Sequence, residues 1–120
     1  MKDRFKRLVL ENIKAGIVFN NPGGGTSAVI RVTPERITYR RGKSNFSVKL
    51  DALATAYARF SSLTCSTNDL KEFDQSVYSS EHNGHGCNCT FLFSLLHYLG
   101  LSSEIKGGGV PGRPFYVNVQ

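Results

Sequence analysis

The amino-acid sequence predicts an α+β fold: an N-terminal helix, a small antiparallel meander, then a run of helices closed by a C-terminal strand. Three patterns predict it. Phe5, Leu8, Val9 and Ile13 recur at the spacing of one helical face. Ile37, Tyr39, Phe46, Val48 and Leu50 alternate at period two on either side of Arg41-Gly42-Lys43-Ser44, which marks a hairpin with a basic tip. Leu92, Leu95, Leu96 and Leu99 form a helical stripe. A length of 120 residues fits one domain, 1–120, with a helix and meander over 1–50 and a helical part over 51–120.

The elements follow in order. Asp3 is the expected cap of the first helix and Gly16 its stop. A short β run at 17–19 leads into the breaker-rich loop Asn20-Asn21-Pro22-Gly23-Gly24-Gly25, and residues 28–32 read as the next strand. Asp51 opens a helix whose apolar face is Leu53, Ala56, Tyr57 and Phe60. Leu63 and Cys65 form an extended piece, and residues 66–69 supply cap chemistry for a short helix carrying Leu70 and Phe73. Residues 74–86 read as a polar loop anchored by Val77 and Tyr78, before a long helix over 87–101 and a strand over 115–119. The expected core is Leu8, Ile30, Tyr39, Val48, Leu53, Tyr57, Phe60, Leu70, Phe73, Leu92, Leu95, Leu96, Leu99, Phe115 and Val117.

Composition narrows the function classes. The apolar stretch 91–101 is interrupted by Ser94 and His97 and falls short of the roughly 20 residues of a membrane span, so no membrane partner is expected. The basic start lacks a following apolar run, and three cysteines do not make a disulfide framework. Both point to a cytoplasmic or otherwise intracellular location. Net charge is +6, and it is segregated. Residues 31–49 hold Arg31, Arg36, Arg40, Arg41, Lys43 and Lys49 against Glu35 alone, whereas residues 61–90 are mainly acidic. A basic segment of this kind favours a polyanionic partner such as DNA or RNA. The tip Arg40, Arg41, Lys43, Ser44 and Asn45 is the main candidate, since a two-stranded ribbon fits a major groove. Tyr39 and Phe46 flank it, placed either to stack on bases or to fill the core.

From Asp51 onward the order is helix, extended piece, short helix, longer helix, a Gly107-Gly108-Gly109 turn and a strand. This order resembles a winged helix-turn-helix over residues 51–119. The resemblance implies a third helix in the major groove and a wing on phosphates. It implies groove-facing positions at Asn88, Thr90, Phe93, Ser94 and His97, with wing contacts at Lys106 and Arg113. The chain departs from the family habit, because its third helix has no Lys or Arg. Phosphate neutralisation dominates DNA affinity, so phosphate contact is expected from the hairpin and from Arg4 and Arg7 of the first helix.

The leading expectation is therefore a nucleic-acid-binding module, with DNA as the partner, in a restriction, defence or regulatory system. A protein-interaction module, an inhibitor or an assembly subunit, is the alternative: Phe91 and Phe93 cannot both share the face of the leucine stripe, which would leave an aromatic for a protein partner. A second alternative is a cysteine-dependent hydrolase or a small zinc-binding domain. His82, His85, Cys87 and Cys89 concentrate possible zinc ligands, although Cys87 and Cys89 are closer than the usual spacing. Cys89 near a helix start invites a lowered thiol pKa, but no general-base histidine follows His97. No complete catalytic motif is present, and the balance is against an enzyme and against a cofactor.

Overall fold

Five α-helices, a four-stranded antiparallel sheet and a two-stranded sheet make up the structure, a computed structural model that describes every residue, Met1–Gln120. Contacts divide the chain into two compact units, Met1–Ala58 and Arg59–Gln120. Charge divides with them. The first unit holds eleven basic and four acidic residues, a formal +7, and the second holds four basic and five acidic, a formal −1.

The first unit begins with α1 (Lys2–Asn12), which buries Phe5 and Val9. Asp3 lies in its first turn rather than capping it, and the helix ends where Ile13 turns extended. Strands β1 (Val18–Asn20), β2 (Thr26–Val32), β3 (Arg36–Arg41) and β4 (Ser44–Lys49) form the sheet in the order β1-β2-β3-β4. Consecutive antiparallel strands need only short turns, and the sequence supplies them. Between β3 and β4 the turn is Gly42-Lys43, with Gly42 at φ +62° and Arg41 facing Ser44. A two-residue loop with its first position left-handed matches the right-handed strand twist and favours glycine there. Helix α2 (Leu50–Phe60) follows at once, its Leu50 N–H donating to the Glu35 carbonyl at 2.9 Å.

The two helices of this unit meet each other. Phe5 stacks on Tyr57 with ring centroids 5.5 Å apart. Lys2 and Lys6 both reach the Asp51 carboxylate, at 3.1 and 2.8 Å. Those hydrogen bonds, from Lys6 first and then Lys2, hold the Asp51 pKa below the ordinary carboxylate range.

The second unit takes the end of α2, then β5 (Thr64–Ser66), α3 (Thr67–Phe73), α4 (Gln75–Tyr78), a 3₁₀ turn at Ser80–His82, α5 (Cys87–Tyr98) and β6 (Tyr116–Asn118). A capping box starts α3: the Ser66 hydroxyl accepts from the Asp69 N–H, and the Asp69 carboxylate accepts from the Ser66 N–H. Strand β6 pairs antiparallel with β5, with Cys65 opposite Val117. The stretch expected as a plain loop over 74–86 contains α4 and the 3₁₀ turn, and Tyr78 is fully buried.

Two core expectations are corrected. Ile30 is 44% exposed because it follows buried Val29 and so points to the opposite face of β2, and Phe73 is 37% exposed at the end of α3, its ring edge-on to Phe60. Leu8, Leu99 and Phe115 are half-buried, and the other expected core residues are buried. Phe91 and Phe93 are both buried, so neither is left over for a partner.

Gly84 is where the second unit tolerates no side chain. A Cβ there would meet the Val77 carbonyl carbon at 2.7 Å, the Gln75 oxygen at 2.8 Å and the Ser79 nitrogen at 2.9 Å, all backbone atoms. At Gly86 the nearest atom, the Tyr78 carbonyl oxygen, is 4.0 Å away. Overpacking of rigid backbone costs about 1–3 kcal/mol. Gly84→Ala is expected to lower stability by that amount in a urea melt, with Gly86→Ala close to the parent chain. Equal stability of the two variants would contradict this packing.

Candidate nucleic-acid interface

The site follows from side-chain alternation along strands. Successive residues of a strand point to opposite faces, and directly paired residues of neighbouring strands share one. Ile37 pairs with Val48, and Tyr39 with both Phe46 and Val29. Ile37 and Tyr39 are fully buried, and Val29 and Val48 nearly so, which makes this the inner face. A one-residue slip would expose all four, at roughly 1.5–3 kcal/mol for each large side chain, so burial pins the register.

The outer face is then determined. Arg36 pairs with Lys49, Arg40 with Asn45 and Ala28, and Thr38 with Ser47 and Arg31. Arg31, Arg36, Arg40 and Lys49 are all exposed, and no strand of this sheet carries an acidic residue. Between the cations lie Ala28, Thr38, Asn45 and Ser47, which are short, and exposed Ile30 beside Arg31. Arg31 owes its place to the bulge. Pairing shifts between Val29 and Arg31, so Ile30 is the extra residue, and the parity beyond it reverses. Arg31 moves outward and Val32 comes opposite buried Ile37.

Local hydrogen bonds orient two of the guanidinium groups. Arg36 Nε donates to the Ser47 hydroxyl at 2.7 Å and Nη2 to the Ser47 carbonyl at 3.4 Å, so Arg36 leans over β4. Arg40 Nε donates to the Gly42 carbonyl at 3.2 Å, which tilts it toward the hairpin tip. A guanidinium has five N–H donors, so each keeps donors for an anion. At one end of the sheet a cleft of about 350 Å³ is lined by Lys6, Pro34, Glu35, Arg36, Lys49 and Asp51. Glu35 and Asp51 offset part of its positive charge.

The sequence-predicted residues are placed unevenly. Arg40 and Asn45 lie on the outer face, whereas Arg41 and its partner Ser44 share the parity of Tyr39 and point to the other side. Lys43 is exposed in the turn. Tyr39 and Phe46 stack on each other at 5.6 Å on the inner face, so neither is a platform for a base. Arg4 and Arg7 are exposed on α1. Sequence reasoning about the site passed over Arg31, Arg36 and Lys49; a strict period-two reading from Tyr39 finds the last two, but the bulge that turns Arg31 outward has no sequence signature.

In the second unit α5 does not present a groove-reading face. Asn88, Cys89 and residues 91–96 are buried, leaving Cys87 and Thr90 half-buried and only His97 and Tyr98 exposed. A helix buried on nearly all sides belongs to a core. The Asn88 amide donates to the Val77 carbonyl at 2.9 Å, and the Thr90 hydroxyl to the Cys87 carbonyl at 3.4 Å. The expected groove-facing roles of Asn88, Phe93 and Ser94 are corrected on this ground. Lys106 is tied by its backbone to Tyr116, and Arg113 is exposed in a turn facing Val110.

The candidate metal and thiol residues are also separable. No three His, Cys, Asp or Glu side chains gather in a group that could hold a metal ion. His82 Nδ1 lies 3.0 Å from the Ser79 hydroxyl, His85 is exposed and Cys87 is half-buried. Cys89 is fully buried, and burial pushes its thiol, like that of Cys65, up to about 12 from an ordinary 9.0. A thiol so raised is protonated at neutral pH and is not a nucleophile. No helix is long and apolar enough to cross a membrane.

Comparison with known proteins finds no protein family, curated protein or solved structure that matches the chain.

Two expectations follow from the thiols. A disulfide reagent under native conditions should modify one thiol of three quickly, and Cys87→Ser should abolish that phase; three equally fast thiols would contradict the burial of Cys65 and Cys89. The pH dependence has a definite sign. The folded chain holds the Cys65 and Cys89 protons more tightly than the unfolded chain, so their contribution is complete below about pH 9.0 and is lost as pH rises toward about 12. Tyr78, raised by burial too, adds to the same trend. Melting temperature should therefore fall above pH 9, and the fall should be shallower in Cys65→Ala/Cys89→Ala.

Proposed function

We propose that the protein is a nucleic-acid-binding module that contacts its ligand through the outer face of the β2-β3-β4 sheet. One observation carries this reading: Arg31, Arg36, Arg40 and Lys49 converge on one exposed face whose strands hold no acidic residue. Such a face binds a polyphosphate by releasing the counterions condensed on it. Surface cations gain little from isolated pairing but act together on a polyanion. The winged-helix expectation contributes nothing to this reading, since α5 is a core helix and the second unit is slightly acidic. Lys43 is exposed at the hairpin tip, and Arg4 and Arg7 belong to α1 rather than to the sheet.

Fluorescence anisotropy with a labelled oligonucleotide at several salt concentrations tests the reading. About four neutralised phosphates give a slope of log K against log salt near −3 to −4. Single alanine variants at Arg31, Arg36, Arg40 or Lys49 should each reduce that slope by about 1. The fourfold variant should lose at least 100-fold in affinity at low salt, whereas Lys106→Ala/Arg113→Ala should bind like the parent chain. Unchanged binding in the fourfold variant, or no binding by the parent at micromolar protein, would overturn the assignment.

A further inference from the structure

Resting on that reading, we infer that the ligand is double-stranded DNA, held across its major groove, rather than a single strand. The first ground is the distribution of aromatic residues. Single-strand binders combine cations with aromatic platforms on which bases stack. The aromatic residues of this sheet are Phe19, Tyr39 and Phe46. Phe19 pairs with Ser27, which itself pairs with Arg41, so Phe19 lies on the inner face with Tyr39 and Phe46. The outer face therefore has no ring to offer an unstacked base.

The second ground is spacing. Arg36 and Arg40 are four residues apart on one strand, which at 3.2–3.4 Å per residue is about 13 Å. Lys49 stands beside Arg36, and Arg31 lies one strand away, opposite Thr38 between the two ends. The major groove of B-form DNA is about 12 Å wide between its two phosphate backbones. Arg36 with Lys49 at one end and Arg40 at the other match the two walls of that groove. Arg36 reaches Ser47, the residue opposite Thr38, and Arg40 tilts toward the tip, so both guanidinium groups shift the same way along β3 and keep their spacing. Thr38, Ser47 and Ala28 between them are short, and the larger side chains at that level are Arg31 and exposed Ile30, both opposite Thr38 on β2. A-form duplexes have a deep, narrow major groove that a sheet does not enter, which sets DNA apart from duplex RNA.

The test compares, for the full chain in one buffer, a mixed-sequence 16-base-pair DNA duplex, either of its single strands, the matching RNA duplex, and vesicles with one-third anionic lipid. The DNA duplex should bind at least 10-fold tighter than the single strand or the RNA duplex. Thr38→Trp keeps every cation and puts a ring in the middle of the outer face. It should weaken duplex binding at least 5-fold and narrow or invert the preference over the single strand, with circular dichroism confirming the fold. Single-strand binding that equals or exceeds duplex binding, while still lost in the fourfold alanine variant, would overturn the duplex inference and leave the nucleic-acid reading intact. Equal binding of RNA and DNA duplexes, or indifference to Thr38→Trp, would overturn the groove geometry. Binding to vesicles alone, or to none of the four probes, would remove the nucleic-acid reading itself.

Discussion

The pinned register of the four-stranded sheet is the constraint on which the rest depends. Burial of Val29, Ile37, Tyr39 and Val48 leaves one way to align β2, β3 and β4. Once that face is inside, the opposite face is fixed residue by residue, and its cations have no freedom to scatter. The site is thus a by-product of the core: hydrophobic burial supplies the free energy, and alternation converts it into an arrangement of charge. The bulge at Ile30 refines this by turning Arg31 outward, beside an Ile30 that alternation from Val29 already places there.

The second unit obeys a different logic. Its helix α5 is apolar around most of its circumference, and it buries even Asn88 and Ser94. Asn88 is accommodated because its amide reaches the Val77 carbonyl, which satisfies a polar group that burial would otherwise penalise. The Tyr78 hydroxyl is buried without a hydrogen-bond partner, and its ionisation is strongly disfavoured by burial. These features describe a packed interior rather than a surface prepared for a ligand. They account for why α5 carries no Lys or Arg.

Much of the first unit was legible in the sequence because its signals are local. Alternation about Gly42-Lys43 gives the β3–β4 hairpin, and the same parity gives the faces of Arg36, Arg40 and Lys49. The spacing of Phe5, Val9 and Ile13 gives the buried side of α1. What was not legible depends on tertiary context. A bulge has no composition cue, so Arg31 is passed over, and in the apolar run Val29-Ile30 the sequence does not say which of the two the sheet buries. Phe91 and Phe93 read as competing with the leucine stripe, because the sequence does not say that α5 is enclosed from several sides. The helix α4 within 74–86 lacks an apolar stripe long enough to be seen. Element order alone suggested a winged helix, yet order does not determine which face of a helix stays open.

The most direct measurement is an NMR titration of the arginine Nε–Hε signals with a short DNA duplex. Arg31, Arg36 and Arg40 are expected to shift together and saturate, while Arg4, Arg7, Arg59 and Arg113 stay near their free positions. Shifts concentrated on Arg59 and Arg113, or spread evenly over all the arginines, would contradict a binding face built by the sheet.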